Sequence, residues 1–363
     1  MNIILTGHYK KFFHNEFCFN SSSGGLHENN FIKFITLRDE FRNLGINLIA
    51  DDSIDNHPNI DALIVHDHPT DINLLTSIAN FRGPKYLTTE EAPFILPNSF
   101  SLDRSKEYRL VFTNYLNGDN FPVNFIFTIP NHIDIAAVES VRKNDLEISK
   151  KNKKVFVGTN KKPTEKEHIN SNYSLRDSLL DWYSINEPND FHLYGKNWDR
   201  VFLRSNNSLS KLFNYSKFDI IFRRLDKRFK SIYQGTLASK YQILSKYKFQ
   251  FCLENCIGFE GYMTEKIFDA LICRNLPVYH PSTASSLDGI LPNDIYINMY
   301  DFKSFGDLNQ YLNSMSLNEY TDYILRIDHF IDDLPSIFEK NYWAKTVALN
   351  IVNDLKSLRI FQY

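Results

Sequence analysis

Phe249-Gln250-Phe251-Cys252-Leu253-Glu254-Asn255, followed by a loop and then by Gly261-Tyr262-Met263-Thr264-Glu265-Lys266-Ile267-Phe268-Asp269-Ala270, decides how this chain folds. The first part is a short, mainly apolar run, as expected of a strand buried on both faces of a parallel sheet. Gly258 and Gly261 in the loop let the backbone approach a ligand closely. Beyond them, Ile267, Phe268, Leu271 and Ile272 recur at helical spacing and predict a helix over 264–274, with Thr, Glu and Lys in its first turn. The free N–H groups and positive dipole end of such a helix suit a phosphate. Lys266 adds a full positive charge there, while the Glu265 carboxylate could meet sugar hydroxyls or a developing cation. An ordinary strand–helix–strand unit would show the same spacing.

The surrounding chain repeats this alternation. A helix is expected over 240–246, and strands over 248–253 and 276–279. Upstream, Val155-Phe156-Val157-Gly158 opens a strand, followed by a helix over 175–183 and a strand over 191–194 closed by Gly195. The first half reads as strands over 2–5, 46–50, 62–65 and 85–88, with helices over 31–44 and 72–81. Strands alternating with helices through short loops predict two parallel, doubly wound sheets. Arg142, Lys143, Lys150, Lys151, Lys153 and Lys154 form a basic hinge between them. The expected division is 1–148, 149–335 and a helical C-terminal segment, 336–363. In that last segment Trp343, Val347, Ala348, Ile351, Val352 and Leu355 are spaced for core or interdomain packing, with docking to a membrane face as the alternative. Two open sheets joined by a hinge leave a ligand crevice beyond the carboxyl ends of their strands.

Composition narrows the classes of function. The 363 residues include 41 Lys plus Arg and 43 Asp plus Glu, a formal net charge of -2, which argues against a general nucleic-acid partner. A hydrophobic fraction of 43% and a charged fraction of 23% exclude a mainly disordered or fibrous chain. The aromatic fraction of 15% suits either sugar stacking or a Phe-rich core. Cys18, Cys252, Cys256 and Cys273 lack the spacing of a zinc site and read as reduced thiols of a cytoplasmic protein. The opening Met1-Asn2-Ile3-Ile4-Leu5 reads as a strand, so no secretory leader is expected, and no apolar stretch approaches the roughly 20 residues of a membrane span.

The full string resembles the signature of the family 10 glycosyltransferases, the α-1,3/4-fucosyltransferases, over about residues 233–305. The family pattern F-E-N-S…G-Y-x-T-E-K is matched by Leu253-Glu254-Asn255-Cys256 and Gly261-Tyr262-Met263-Thr264-Glu265-Lys266, and its Pro-Val strand by Leu276-Pro277-Val278-Tyr279-His280-Pro281. Ser174-Leu175-Arg176-Asp177 and His192-Leu193-Tyr194-Gly195 resemble further parts of the family's donor domain. Thr89-Glu90-Glu91-Ala92-Pro93 resembles its segment bearing the proposed base.

The resemblance implies an α/β GT-B architecture, two Rossmann-like domains facing a cleft. It also implies inversion at the anomeric carbon and GDP-fucose as donor, with no metal or other cofactor. Arg176 and Lys266 would then neutralise the diphosphate, and preorganised cations of this kind stabilise a leaving GDP. Asn255 and Tyr262 would hydrogen-bond the phosphates or the sugar, and Glu265 would stabilise oxocarbenium character. Glu91 would act as general base on the acceptor hydroxyl, with the adjacent Glu90 as the second candidate. The expected acceptor is an oligosaccharide hydroxyl on N-acetylglucosamine or glucose, for example in a lipopolysaccharide. Peripheral contact with the inner membrane face would go with such an acceptor.

The sequence departs from the pattern where Cys256 replaces Ser and where His280-Pro281 replaces Gly. Fucose is therefore less firmly implied than a GDP-sugar. A transferase of another GDP-sugar, or a non-catalytic nucleotide- or glycan-binding module, is the alternative. The run Arg223, Arg224, Lys227, Arg228 and Lys230 reads as a solvated helix face, with a membrane-surface or diphosphate contact as the alternative. His66-Asp67-His68 reads as a polar cluster and not as a metal triplet, because adjacent strand residues alternate in direction.

Overall fold

A computed structural model describes residues 1–20, 31–100, 106–115, 124–144, 153–160, 169–199, 228–237, 239–284 and 289–358. Its first domain is built on a six-stranded parallel sheet: β1 (Asn2–Gly7), β2 (Asn47–Ala50), β3 (Ala62–His66), β4 (Lys85–Thr89), β5 (Leu110–Thr113) and β6 (Phe125–Phe127). The spatial order is β2-β1-β3-β4-β5-β6, so β1 is an interior strand. β3 is buried at all five positions, which explains its unbroken apolar sequence. Helix α1 (Ile32–Asn43) ends where Gly45 adopts φ 73°, a left-handed conformation that glycine takes without steric cost. Helix α2 (Ile72–Asn80) starts at Asp71, whose carboxylate accepts the Leu74 N–H at 3.0 Å.

Helix α3 (Ile135–Lys143) leads towards the second domain. That domain holds β7 (Lys154–Asn160), α4 (Tyr173–Asn186), β8 (Phe191–Lys196), α5 (Lys240–Leu244), β9 (Phe249–Leu253), α6 (Glu265–Ile272), β10 (Leu276–His280) and β11 (Ile297–Asn298). Its strands are parallel in the order β11-β10-β9-β7-β8. The chain order reverses between β9 and β7, a switch point of the sort that opens a ligand crevice. Helices α7 (Phe305–Ser314), α8 (Leu317–Asp332) and α9 (Tyr342–Ser357) complete the described chain.

The core changes domain earlier than the basic hinge suggests. Ile129, Ile133 and Val138 pack with Phe268 and Leu271 in the core of the second domain, ahead of the expected 148/149 boundary, which lies outside the described residues. Arg142 holds α3 to α8 through Asp328 at 3.1 Å and Asp332 at 2.8 Å. Lys154 is 2% exposed, and its ammonium donates to Asn313 Oδ1 at 2.7 Å. Two members of the basic stretch thus tie elements together, while Lys150 and Lys151 lie outside the described residues.

Helix α9 returns to the first domain. Its Trp343, Val347, Ala348, Ile351 and Leu355 are buried against Ile3, Leu5, Phe34 and Phe41. The apolar stripe is therefore core, and no membrane role is needed to explain it. Among the described residues, no helix is long and apolar enough to cross a membrane. All four cysteines are free and buried.

Candidate active site

A cavity of about 300 Å³ lies between the two domains. Asn255, Tyr262, Thr264, Glu265, Lys240 and Asp269 line it from the second domain, Tyr9, Lys33, Glu90, Glu91 and Asn114 from the first, and His132 from the segment that crosses between them. Parallel sheets gather these side chains because loops at the carboxyl ends of their strands open towards the same crevice.

The strand-to-helix turn is held by Glu254, which is 1% exposed. Its carboxylate accepts the Thr264 N–H at 3.0 Å, the Thr264 hydroxyl at 2.6 Å and the Tyr279 hydroxyl at 3.0 Å. Lys266 lies 3.5 Å from the same carboxylate, 3.6 Å from Glu265, and donates to Thr264 Oγ1 at 2.7 Å. Gly258 and Gly261 take φ 87° and 71° in the intervening loop, a region costly to other residues.

Charge in this corner is tightly coupled. Burial opposes ionisation of Glu265, but Lys266 and Lys240 outweigh it and hold its carboxyl down at about 2. Lys266 pays a desolvation penalty too, yet Glu265 and Glu254 raise its pKa. Behind them Lys240 and Asp269 form a buried ion pair. Burial raises the Asp269 carboxyl to about 6 despite that partner.

The start of α4 is fastened to the same turn. The Asn172 N–H donates to Asn255 O at 3.0 Å, and its side-chain amide donates to Glu254 O at 2.9 Å and His280 Nδ1 at 3.1 Å. One turn on, the Arg176 guanidinium stacks 4.3 Å from the Tyr173 ring and 5.3 Å from that of Trp198. Arg176 does not line the cavity in this arrangement. Asp181, on the same helix, is engaged by Arg228. The other arginines of the basic run, Arg223 and Arg224, and Lys227 lie outside the described residues. Tyr262 is 1% exposed and packs with Cys256 against Ala92, Phe94 and Tyr115, so it joins the domains as well as lining the cavity.

On the first-domain side, the Tyr9 hydroxyl donates to Glu91 Oε2 at 2.8 Å. Glu90 pairs with Lys33. Asp67, at φ 53° and 2% exposed, accepts the N–H groups of Glu90 at 2.9 Å and Glu91 at 3.3 Å on one oxygen. The His66-Asp67-His68 cluster is split, though not by strand alternation: β3 ends at His66 and Asp67 turns at φ 53°, so His66 and Asp67 both line the cavity, whereas His68 Nδ1 lies 2.8 Å from the Tyr108 hydroxyl. His14, Asp51 and Asp52 bring possible ligand atoms within 4.8 Å of one another, but none of the three lines the cavity. Glu254 stood within the quoted motif. Tyr9, Lys33 and the role of Asp67 carried no local signal, since only the sheet brings them to Glu90 and Glu91.

Residues 199–330 match the family model described as glycosyltransferase family 10 (fucosyltransferase) C-term. The strand, loop and helix around Glu254 and Glu265 lie within this matched stretch. The chain is similar to the alpha-(1,3)-fucosyltransferase FucT of Helicobacter pylori, 40% identical over 76 residues, which is 20% of this chain and 15% of that protein. It is also similar to the 4-galactosyl-N-acetylglucosaminide 3-alpha-L-fucosyltransferase FUT6 of Gorilla gorilla gorilla, 37% identical over 87 residues, or 24% and 23% of the two chains. These matches span less than a quarter of each relative's length. The whole fold is similar to the crystal structure of the DNA modifying enzyme beta-glucosyltransferase, with a TM-score of 0.51 at 9% identity, covering 96% of this chain and 100% of that one. The protein therefore has two Rossmann-like domains in the GT-B arrangement, and the matched residues 199–330 belong to the second.

Proposed function

We propose that this protein transfers L-fucose from GDP-fucose, with inversion, to a hydroxyl of an N-acetylglucosamine- or glucose-containing glycan in α-1,3 or α-1,4 linkage. The observation that carries the reading is one cavity lined by Glu265 from the stretch matching family 10 and by Glu91 from the opposite domain. Glu91 takes the proton of the attacking acceptor hydroxyl, and Tyr9 and Asp67 fix where that carboxylate stands. Glu265, ionised throughout the neutral range, stabilises positive charge on the donor sugar as its bond to phosphate lengthens. Lys266 neutralises the departing diphosphate at the start of α6, and Arg176 does so from the first turn of α4. Asn255 and Tyr262 position the donor between them. The chemistry of this scheme uses no metal. Glycans carried on lipid, such as lipopolysaccharide, would bring a cytoplasmic enzyme to the inner membrane face as a peripheral protein.

A transferase of another GDP-sugar is favoured by one observation. His280, in place of the family's glycine, is buried beside Asn172 and stacks 4.5 Å from the Tyr300 ring, which reshapes the loop expected near the donor sugar. A donor panel of GDP-fucose, GDP-mannose and UDP-glucose, with N-acetyllactosamine as acceptor, separates the two. Transfer from GDP-fucose alone supports the proposal, transfer from GDP-mannose supports the second reading, and absence of any thermal shift with GDP removes both.

A further inference from the structure

Three side-chain atoms lining the cavity are buried and meet no hydrogen-bond partner among the described residues: Asn114 Oδ1 and Glu90 Oε1 from the first domain, and His132 Nε2 from the segment that crosses to the second. Buried polar atoms are nearly always paired, so three lining one cavity call for an explanation. Asn114 is 2% exposed, and its amide nitrogen donates to Glu90 O at 3.4 Å, which orients the group and leaves its oxygen unused. Glu90 gives its other oxygen to Lys33. Burial lowers the His132 pKa, so its ring is neutral near pH 7.

The chemistry of these atoms selects the ligand. An amide oxygen and a carboxylate oxygen accept hydrogen bonds and cannot donate them. A diphosphate, itself an acceptor, leaves them unsatisfied. Sugar hydroxyls can donate to both oxygens and either donate to or accept from a neutral imidazole. Resting on the transferase reading above, we propose that Asn114, Glu90 Oε1 and His132 form the hydroxyl-reading wall that orients the acceptor sugar beside Glu91. They would thereby set which hydroxyl of the acceptor is modified.

The test uses the full chain with GDP-fucose, N-acetyllactosamine and its monodeoxy derivatives. Asn114→Ala is expected to raise the acceptor KM about tenfold, with GDP affinity within about twofold of wild type. One monodeoxy acceptor should lose about tenfold in kcat/KM with the wild type and lose nothing further with Asn114→Ala. GDP affinity reports whether the variant is folded, and His132→Gln gives an independent arm if Asn114→Ala is not. Unchanged acceptor KM in folded variants overturns the inference, and so does a fall in GDP affinity, which would make this wall part of the nucleotide site. Transfer by the wild type with acceptor KM unchanged in the folded variants overturns this inference alone, whereas a wild-type chain that binds no GDP or no oligosaccharide overturns the transferase reading on which it rests.

Discussion

Asp67 accepts the main-chain N–H of Glu91 at 3.3 Å on the same oxygen that takes the N–H of Glu90 at 2.9 Å. This carboxylate ties the end of β3 to the segment after β4, and it does so from a left-handed backbone at φ 53°. Asn tolerates that conformation and keeps an accepting oxygen, whereas Ala does neither. Asp67→Asn should therefore keep kcat within about threefold of wild type, and Asp67→Ala should lose tenfold or more, since a misplaced base costs heavily in rate. Calorimetric GDP affinity should not change in either variant. Equal loss in both would show that the charge of Asp67 matters and not its accepting oxygen.

Glu91 and Glu90 can be told apart by the same pair of measurements. Glu91→Gln should lower kcat by about 10²–10⁴, the ordinary contribution of a general base, with GDP affinity retained. Glu90→Gln removes the charge that partners Lys33 and should raise the acceptor KM more than it lowers kcat. If Glu90→Gln suffers the larger loss of kcat, the two residues exchange roles.

Glu254 is the keystone of the donor-side turn. Glu254→Ala strands the Thr264 N–H, two hydroxyls and the Lys266 ammonium, and a broken buried charge pair costs about 3–5 kcal/mol. Chemical denaturation should show that loss. Lys266→Ala removes less structure and more function: GDP affinity should fall roughly 10–100-fold, the worth of a charge-assisted contact. Retained GDP affinity in a folded Lys266→Ala would remove the phosphate from the start of α6.

Acid should act on this domain through His280. Burial lowers its pKa from 6.5 to about 4, so the native state binds its proton less readily than the unfolded chain. The associated stability is present above pH 6.5 and is lost as pH falls towards 4, about 3 kcal/mol in all. Asp269, raised to about 6, has the opposite sign, gaining stability on acidification between about 6 and 3.8. The informative quantity is thus the difference between wild type and His280→Gln, which should shrink between pH 7 and pH 4. A difference independent of pH would mean that His280 titrates alike in both states.

Much of the donor side was legible from short-range pattern. The apolar run of β9 and the stripe of Ile267, Phe268, Leu271 and Ile272 give strand and helix within two residues of their ends. Strands β5 and β6 were missed because four and three residues are too short to show a period. Helix α8 did carry a readable stripe in Tyr320, Ile324, Ile327 and Ile331, and was passed over. Of the six expected site residues, the cavity unites Glu91, Asn255, Tyr262 and Glu265. Lys266 lies against Glu265, while Arg176 stacks on Tyr173 and Trp198. The contacts of Asp67, Tyr9 and Lys33 with the Glu90-Glu91 segment were invisible because they depend on strand order, which no local window contains.

The most direct test is proton NMR of the product formed from GDP-fucose and N-acetyllactosamine by the wild-type chain and by Glu91→Gln. The wild type is expected to form a fucosylated product whose anomeric configuration is inverted relative to the donor, and Glu91→Gln is expected to form none. A product with retained configuration, or transfer undiminished in Glu91→Gln, would contradict the proposed mechanism.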